Sequence, residues 1–131
     1  MIRRMAQSVF KPENIQIYRQ SYQTRQQRVL AERETHRQEA LQAVERVVPP
    51  IAAKYPAVKA IYLFGSILRP GAFRPDSDID VAMAGGTAED YFALWQELQE
   101  ALPHWLVDLR DLPPGAQFTE RVYATGKRLY G

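Results

Sequence analysis

The chain has no cysteine. That excludes disulfides, a thiolate nucleophile and any zinc site built on thiolates. It also lacks any apolar run approaching the ~20 residues of a membrane-spanning helix, and glycine is absent from Pro12 through Val48. Histidine is scarce: His36 and His104 stand apart from the Gly-Ser and Asp-x-Asp motifs and read as surface positions rather than catalysts. The first ten residues, MIRRMAQSVF, carry two arginines with no apolar run or small-residue cleavage site behind them. No secretory signal is expected there, and a cytoplasmic protein is the default.

The 131 residues, 46% hydrophobic and 24% charged, suit one folded domain that buries roughly two-thirds of its unfolded surface. A net charge of +2 is too small to argue for nucleic acid, yet it is unevenly spread. Residues 1–48 hold 9 Lys/Arg against 5 Asp/Glu, and residues 49–131 hold 8 against 10. The basic third lacks the interleaved aromatics of a base-stacking surface and reads as a solvated helix face.

From Pro12 to Val48 the chain is rich in Gln, Arg, Glu, Ala and Leu, which favour helix. One continuous helix there would run roughly 55 Å, longer than a domain of this size is wide. Its first half carries a thin apolar stripe (Ile15, Tyr18, Tyr22, Val29), suited to self-association or partner docking, whereas Ala40, Leu41, Val44, Val47 and Val48 are spaced to pack on a core. Residues 1–40 are therefore assigned to a basic helical extension and 41–131 to the domain. Pro49 and Pro50 are expected to end or kink the helix, after which IAAKY allows one more turn before Pro56. Beyond them come VKAIYLF as a buried strand, a Gly-Ser turn, a Pro- and Gly-rich loop, DIDVAMA as a second strand, AEDYFALWQELQEAL as a helix, WLVDLRDL as a third strand and QFTERVYATG as a closing helix. The fold class is mixed α/β (α+β): a small mixed sheet flanked by helices, with a long N-terminal helical extension.

Chemistry concentrates where Asp76, Asp78 and Asp80 crowd three like charges into five residues beside a buried strand. Side chains alternate across a sheet, so Asp78 and Asp80 share one face, ~6 to 7 Å apart along the backbone. Such a pair can converge on a divalent cation, the natural counter-charge for clustered oxygen ligands. A lone Asp-x-Asp is a weak signal, and it is the setting that adds weight. Gly65 and Ser66 follow a strand and offer amides and a hydroxyl suited to a phosphate, and Asp108 in a third strand supplies a remote acid, with Asp111 as the alternative.

The combination of Gly65-Ser66, an eleven-residue loop holding Arg69 and Gly71, Asp78-Ile79-Asp80, and Asp108 within Val-Asp-Leu resembles the minimal nucleotidyltransferases of the DNA polymerase β superfamily, many of them antitoxins paired with HEPN ribonuclease toxins. The likeness covers about Val58 to Gly131, including the tail ERVYATGKRLYG. The loop is one residue longer than in many members, Pro70 interrupts Arg-Gly, and the extension before residue 40 is not part of the minimal domain. The resemblance implies a nucleotidyltransferase fold and the transfer of a nucleoside monophosphate, AMP from ATP, to a hydroxyl of a partner protein such as a HEPN-type toxin. It implies Asp78, Asp80 and Asp108 as catalytic ligands of two Mg²⁺ ions, with Gly65, Ser66, Arg69 and Ser77 holding the nucleotide or the acids. Two other readings stay open. One is a binding module that sequesters its partner with an idle nucleotide site; the other is a small-molecule nucleotidyltransferase, disfavoured because no second domain is evident to close over an acceptor.

Overall fold

The computed structural model describes residues 11–131; the first ten, where no secretory signal is expected, lie outside the described residues. The chain divides into two compact units, one ending at Glu32 and the other running Arg33–Gly131. A 3-10 turn, Pro12–Asn14, leads into helix α1, Ile15–Ala52. Up to Glu32 its large apolar residues are exposed: Ile15, Ile17, Tyr18, Tyr22, Val29 and Leu30. Within the second unit the same helix buries Arg37, Ala40, Val44, Val48 and Ala52, spaced three or four apart as one helical face requires.

Helix α1 does not break at Pro49 and Pro50 as the sequence suggests; both lie inside it, and it runs on to Ala52. The prolines occupy its last turn, so their missing N–H groups cost two hydrogen bonds close to an end that would fray in any case. Val48 and Ala52, both fully buried, hold the turn in place. The Ala53 amide still bonds to the Pro49 carbonyl, at 3.1 Å.

The sheet has four strands, β1 Val58–Phe64, β2 Ile79–Gly85, β3 Val107–Asp111 and β4 Lys127–Tyr130, ordered β3-β2-β1-β4. Strands β1 and β2 are antiparallel, as are β1 and β4, while β2 and β3 run parallel. A parallel pair needs a crossover, and helix α2, Ala88–Ala101, provides it. Thr87 caps α2 through a reciprocal box with Asp90, each side chain accepting from the other's backbone amide. Helix α3, Gln117–Thr125, leads into β4. Strand β4 is the strand absent from the sequence reading; KRLY sets two charges before Leu129 and Tyr130, without alternation, and pairs with the edge of β1.

The two sheet faces differ. Ile61, Leu63, Ile79, Val81, Met83, Val107 and Leu109 belong to the main core with the buried face of α1, Leu94 and Leu98 of α2, and Phe73 from the loop. The opposite face is a smaller cluster, in which Ala60, Ala82, Ala84, Leu112 and Val122 are joined by Tyr62, Phe64 and Phe118. Helix α3 covers only part of that second face. Asp80 and Asp108 lie on it, because they alternate with the core-facing Ile79, Val81, Val107 and Leu109.

Candidate active site

Asp80 and Asp108 are register partners across β2 and β3. Directly opposed residues of adjacent strands share a face and stand ~4.8 Å apart in backbone spacing. The alternation expected for β3 is present, with Val107 and Leu109 buried and Leu106 exposed. Asp78 precedes β2 and is exposed, with Ile79, whose amide bonds to the Leu106 carbonyl at 2.8 Å, opening the ladder behind it. Burial pushes the Asp80 carboxyl up to about 6, helped by the negative charges of Asp108 and then Asp78, while Arg110 pulls it down. Arg110 also pairs with Asp108 at 3.4 Å. It was not singled out in the sequence, although a cation two residues beyond Asp108 must share that aspartate's face.

Gly65 ends β1 against this cluster. It has φ +83°, and a side chain there would collide with the Asp80 carboxylate. Both facts demand glycine: the left-handed backbone disfavours other residues, and the space is occupied by the acid. Ser66 opens the 3-10 turn Ser66–Leu68, in which the Leu68 amide bonds to the Gly65 carbonyl and the Arg69 amide to that of Ser66. Arg37 on α1 holds this turn from behind, donating to the Ile67 carbonyl at 2.9 Å while Glu34 grips its guanidinium at 2.9 and 2.5 Å. That grip lowers the Glu34 carboxyl to about 2. The only sequence signal for Arg37 is its place one turn before the buried stripe.

Arg69 is exposed and lines a cavity with Gly65. The Ser77 hydroxyl accepts from the Arg74 amide at 2.8 Å and so closes the loop. Phe73, fully buried, pins that loop and stacks on His36, ring centroids 5.5 Å apart. His36 is thus not the surface residue that its sequence position suggests; it also accepts a hydrogen bond from the Trp105 indole at 3.3 Å. Asp111, the alternative third acid, does not share the face of Asp108. An odd spacing puts it on the other face of β3, opposite Met83, where its carboxylate accepts from the Leu112 amide at 3.0 Å.

Strand β3 is an edge strand, and three side chains of α2 cover its free backbone. The Tyr91 hydroxyl donates to the Leu109 carbonyl at 2.5 Å and the Trp95 indole to the Val107 carbonyl at 2.8 Å. Gln99 accepts from the Val107 amide at 2.9 Å and donates to the Trp105 carbonyl at 2.7 Å. These residues recur at i, i+4 and i+8, one line on the helix, each tipped with a polar group.

Among the described residues, no set of three or more His, Asp or Glu side chains stands ready-made around an ion position. The chemistry of the donors nevertheless fits a hard divalent cation: carboxylate oxygens gathered on one face, with mutual repulsion that raises the proton affinity of Asp80.

A mixed four-stranded sheet that presents opposed aspartates beside a Gly-Ser turn is the arrangement of a nucleotidyltransferase domain. The family described as Polymerase beta, Nucleotidyltransferase matches residues 48–131, and the chain belongs to it. One similar solved structure is a toxin–antitoxin, MntA–HpeT, with two aspartates changed to glutamate; it is 28% identical over 66% of this chain and 72% of that chain, with a TM-score of 0.54. Another is a toxin–antitoxin with AMP-PNP, 30% identical over 68% of this chain and 73% of that one, with a TM-score of 0.53. No curated protein matches the chain. Among the described residues no helix is long and apolar enough to cross a membrane.

Proposed function

We propose that this protein transfers a nucleoside monophosphate, AMP from ATP, to a hydroxyl of a partner protein, in a toxin–antitoxin pairing where the modified partner is a HEPN-type toxin. The observation that carries this reading is the register of Asp80 against Asp108 on a half-covered sheet face, with Gly65 packed against Asp80. The relatives support it: one toxin–antitoxin structure has AMP-PNP, and another has two exchanged aspartates spaced like Asp78 and Asp80.

Asp78, Asp80 and Asp108 would hold Mg²⁺, two ions in the family's manner, which when bound neutralise the phosphates and polarise the transferred group. Ser66 and the Gly65 turn take the phosphate tail, and Arg69 reaches it from the loop. Asp108 orients the attacking hydroxyl and receives its proton. The acceptor oxygen bonds to the α-phosphorus as the bond to the β-phosphate oxygen breaks, and pyrophosphate leaves with the electron pair. The exposed residues Ile15, Tyr18, Tyr22 and Val29 support docking of a partner protein or of a second copy. The test is incorporation of label from α-labelled ATP into a candidate HEPN-type partner protein. Label should appear with Mg²⁺ and the wild-type protein and vanish with Asp80→Ala; label transfer that survives Asp80→Ala would remove the reading.

A further inference from the structure

A cavity of about 530 Å³ opens between the turn after β1 and helix α3, lined among others by Phe64, Gly65, Arg69, Phe118, Arg121 and Thr125. Gly65 ties one wall to Asp80, since the carboxylate occupies the space a Gly65 side chain would need. The lining includes two arginines and no acid. Neither Arg69 nor Arg121 makes an ion pair among the described residues. Two such guanidiniums lining one cleft are not neutralised by any carboxylate of its lining, and a planar fork of donors suits phosphate oxygens. The Thr125 hydroxyl is already spent, donating to the Arg121 carbonyl at 2.8 Å, so it offers no proton to a ligand. Phe64 and Phe118, edge to face at 5.3 Å, form an apolar floor that strengthens charge pairing above it.

We propose that Arg121, on the last helix, is a second anchor for the polyphosphate of the nucleotide, lining the same cavity as Arg69 and lying outside the Gly-Ser and Asp-x-Asp motifs. The assignment rests on the nucleotidyl-transfer reading for the identity of its ligand. A protein hydroxyl is neutral and gains nothing from two cations, whereas the departing pyrophosphate gathers negative charge as its bond breaks. Arg121 thus serves both binding and the leaving group.

Arg121 is exposed, so its replacement leaves the core intact. The wild type, Arg121→Gln and Arg121→Lys would be titrated calorimetrically with inorganic tripolyphosphate, MgATP and AMP. Arg121→Gln should weaken tripolyphosphate and MgATP by about tenfold or more while AMP is unaffected, the scale of one lost charge-assisted contact. Arg121→Lys should recover part of the loss. Unchanged tripolyphosphate affinity in Arg121→Gln, or an equal loss for AMP, would overturn the assignment. If Arg121→Gln weakens polyphosphate but label transfer survives Asp80→Ala, the anion site stands and the catalytic reading falls.

Discussion

Gly65 shows how one position can serve two needs. Its backbone, with φ +83° and ψ −154°, would cost a non-glycine residue ~1 to 3 kcal/mol, and the Asp80 carboxylate leaves a methyl group no room. Gly65→Ala should therefore displace Asp80: calorimetry is expected to find MgATP binding weakened at least ~10-fold, on the scale of one misplaced charged ligand, while circular dichroism still reports a folded protein. The same carboxyl has a pH signature in metal-free protein. Its affinity for a proton is higher folded than unfolded, with the folded value near 6 against 3.8, so its contribution to stability falls as pH rises through that window. The melting temperature of the wild type relative to Asp80→Asn, measured in chelator, should drop between pH 4 and pH 7, by an amount that salt reduces because the group is half exposed. A flat difference would mean that neither burial nor the charges of Asp108 and Asp78 raise its proton affinity.

At the scale of elements, the site depends on an edge strand held from outside. Without Tyr91, Trp95 and Gln99, the outer amide and carbonyls of β3 would face water and Asp108 would sit on a fraying strand. Trp95→Phe keeps the ring and removes one donor. It should cost about 1 kcal/mol of stability and lower transfer more than MgATP affinity, because Asp108 is the acid it steadies. A loss confined to affinity would contradict that role.

This element also marks what was legible in the sequence. Strands β1, β2 and β3 and helices α2 and α3 follow from periodicity and turn signals, whereas the opposition of Asp80 and Asp108 depends on a parallel pairing of β2 with β3 that periodicity does not give. The clamp was hidden because amphipathic patterns rank Tyr, Trp and Gln by hydrophobicity and not by what their tips can reach. Strand β4 was hidden because its partner lies some 65 residues away, at the free edge of β1. The helix does not end at Pro49 and Pro50 because local propensity yields to the burial of Val48 and Ala52. Arg37 and His36 were unreadable for a related reason: their partners, the Ile67 carbonyl and Phe73, lie in a loop whose path no repeat announces.

For the whole molecule, the division at Glu32 and Arg33 predicts that a chain starting at Arg33 keeps its cooperative thermal transition within a few degrees of the full chain. Loss of that transition would show that the segment before Arg33 is needed for the fold. MgATP should raise the melting temperature of either form, since a ligand bound only by the folded state stabilises it by mass action. The central claim is that Asp108 acts on the attacking hydroxyl while Asp80 also holds the metal-nucleotide. The most direct measurement sets labelled-AMP transfer beside calorimetric MgATP affinity for Asp108→Ala and Asp80→Ala. Asp108→Ala should bind MgATP appreciably yet transfer at least ~100-fold more slowly, the scale of ~2.7 kcal/mol of transition-state stabilisation, and Asp80→Ala should lose both. Near-normal transfer by Asp108→Ala would contradict the account.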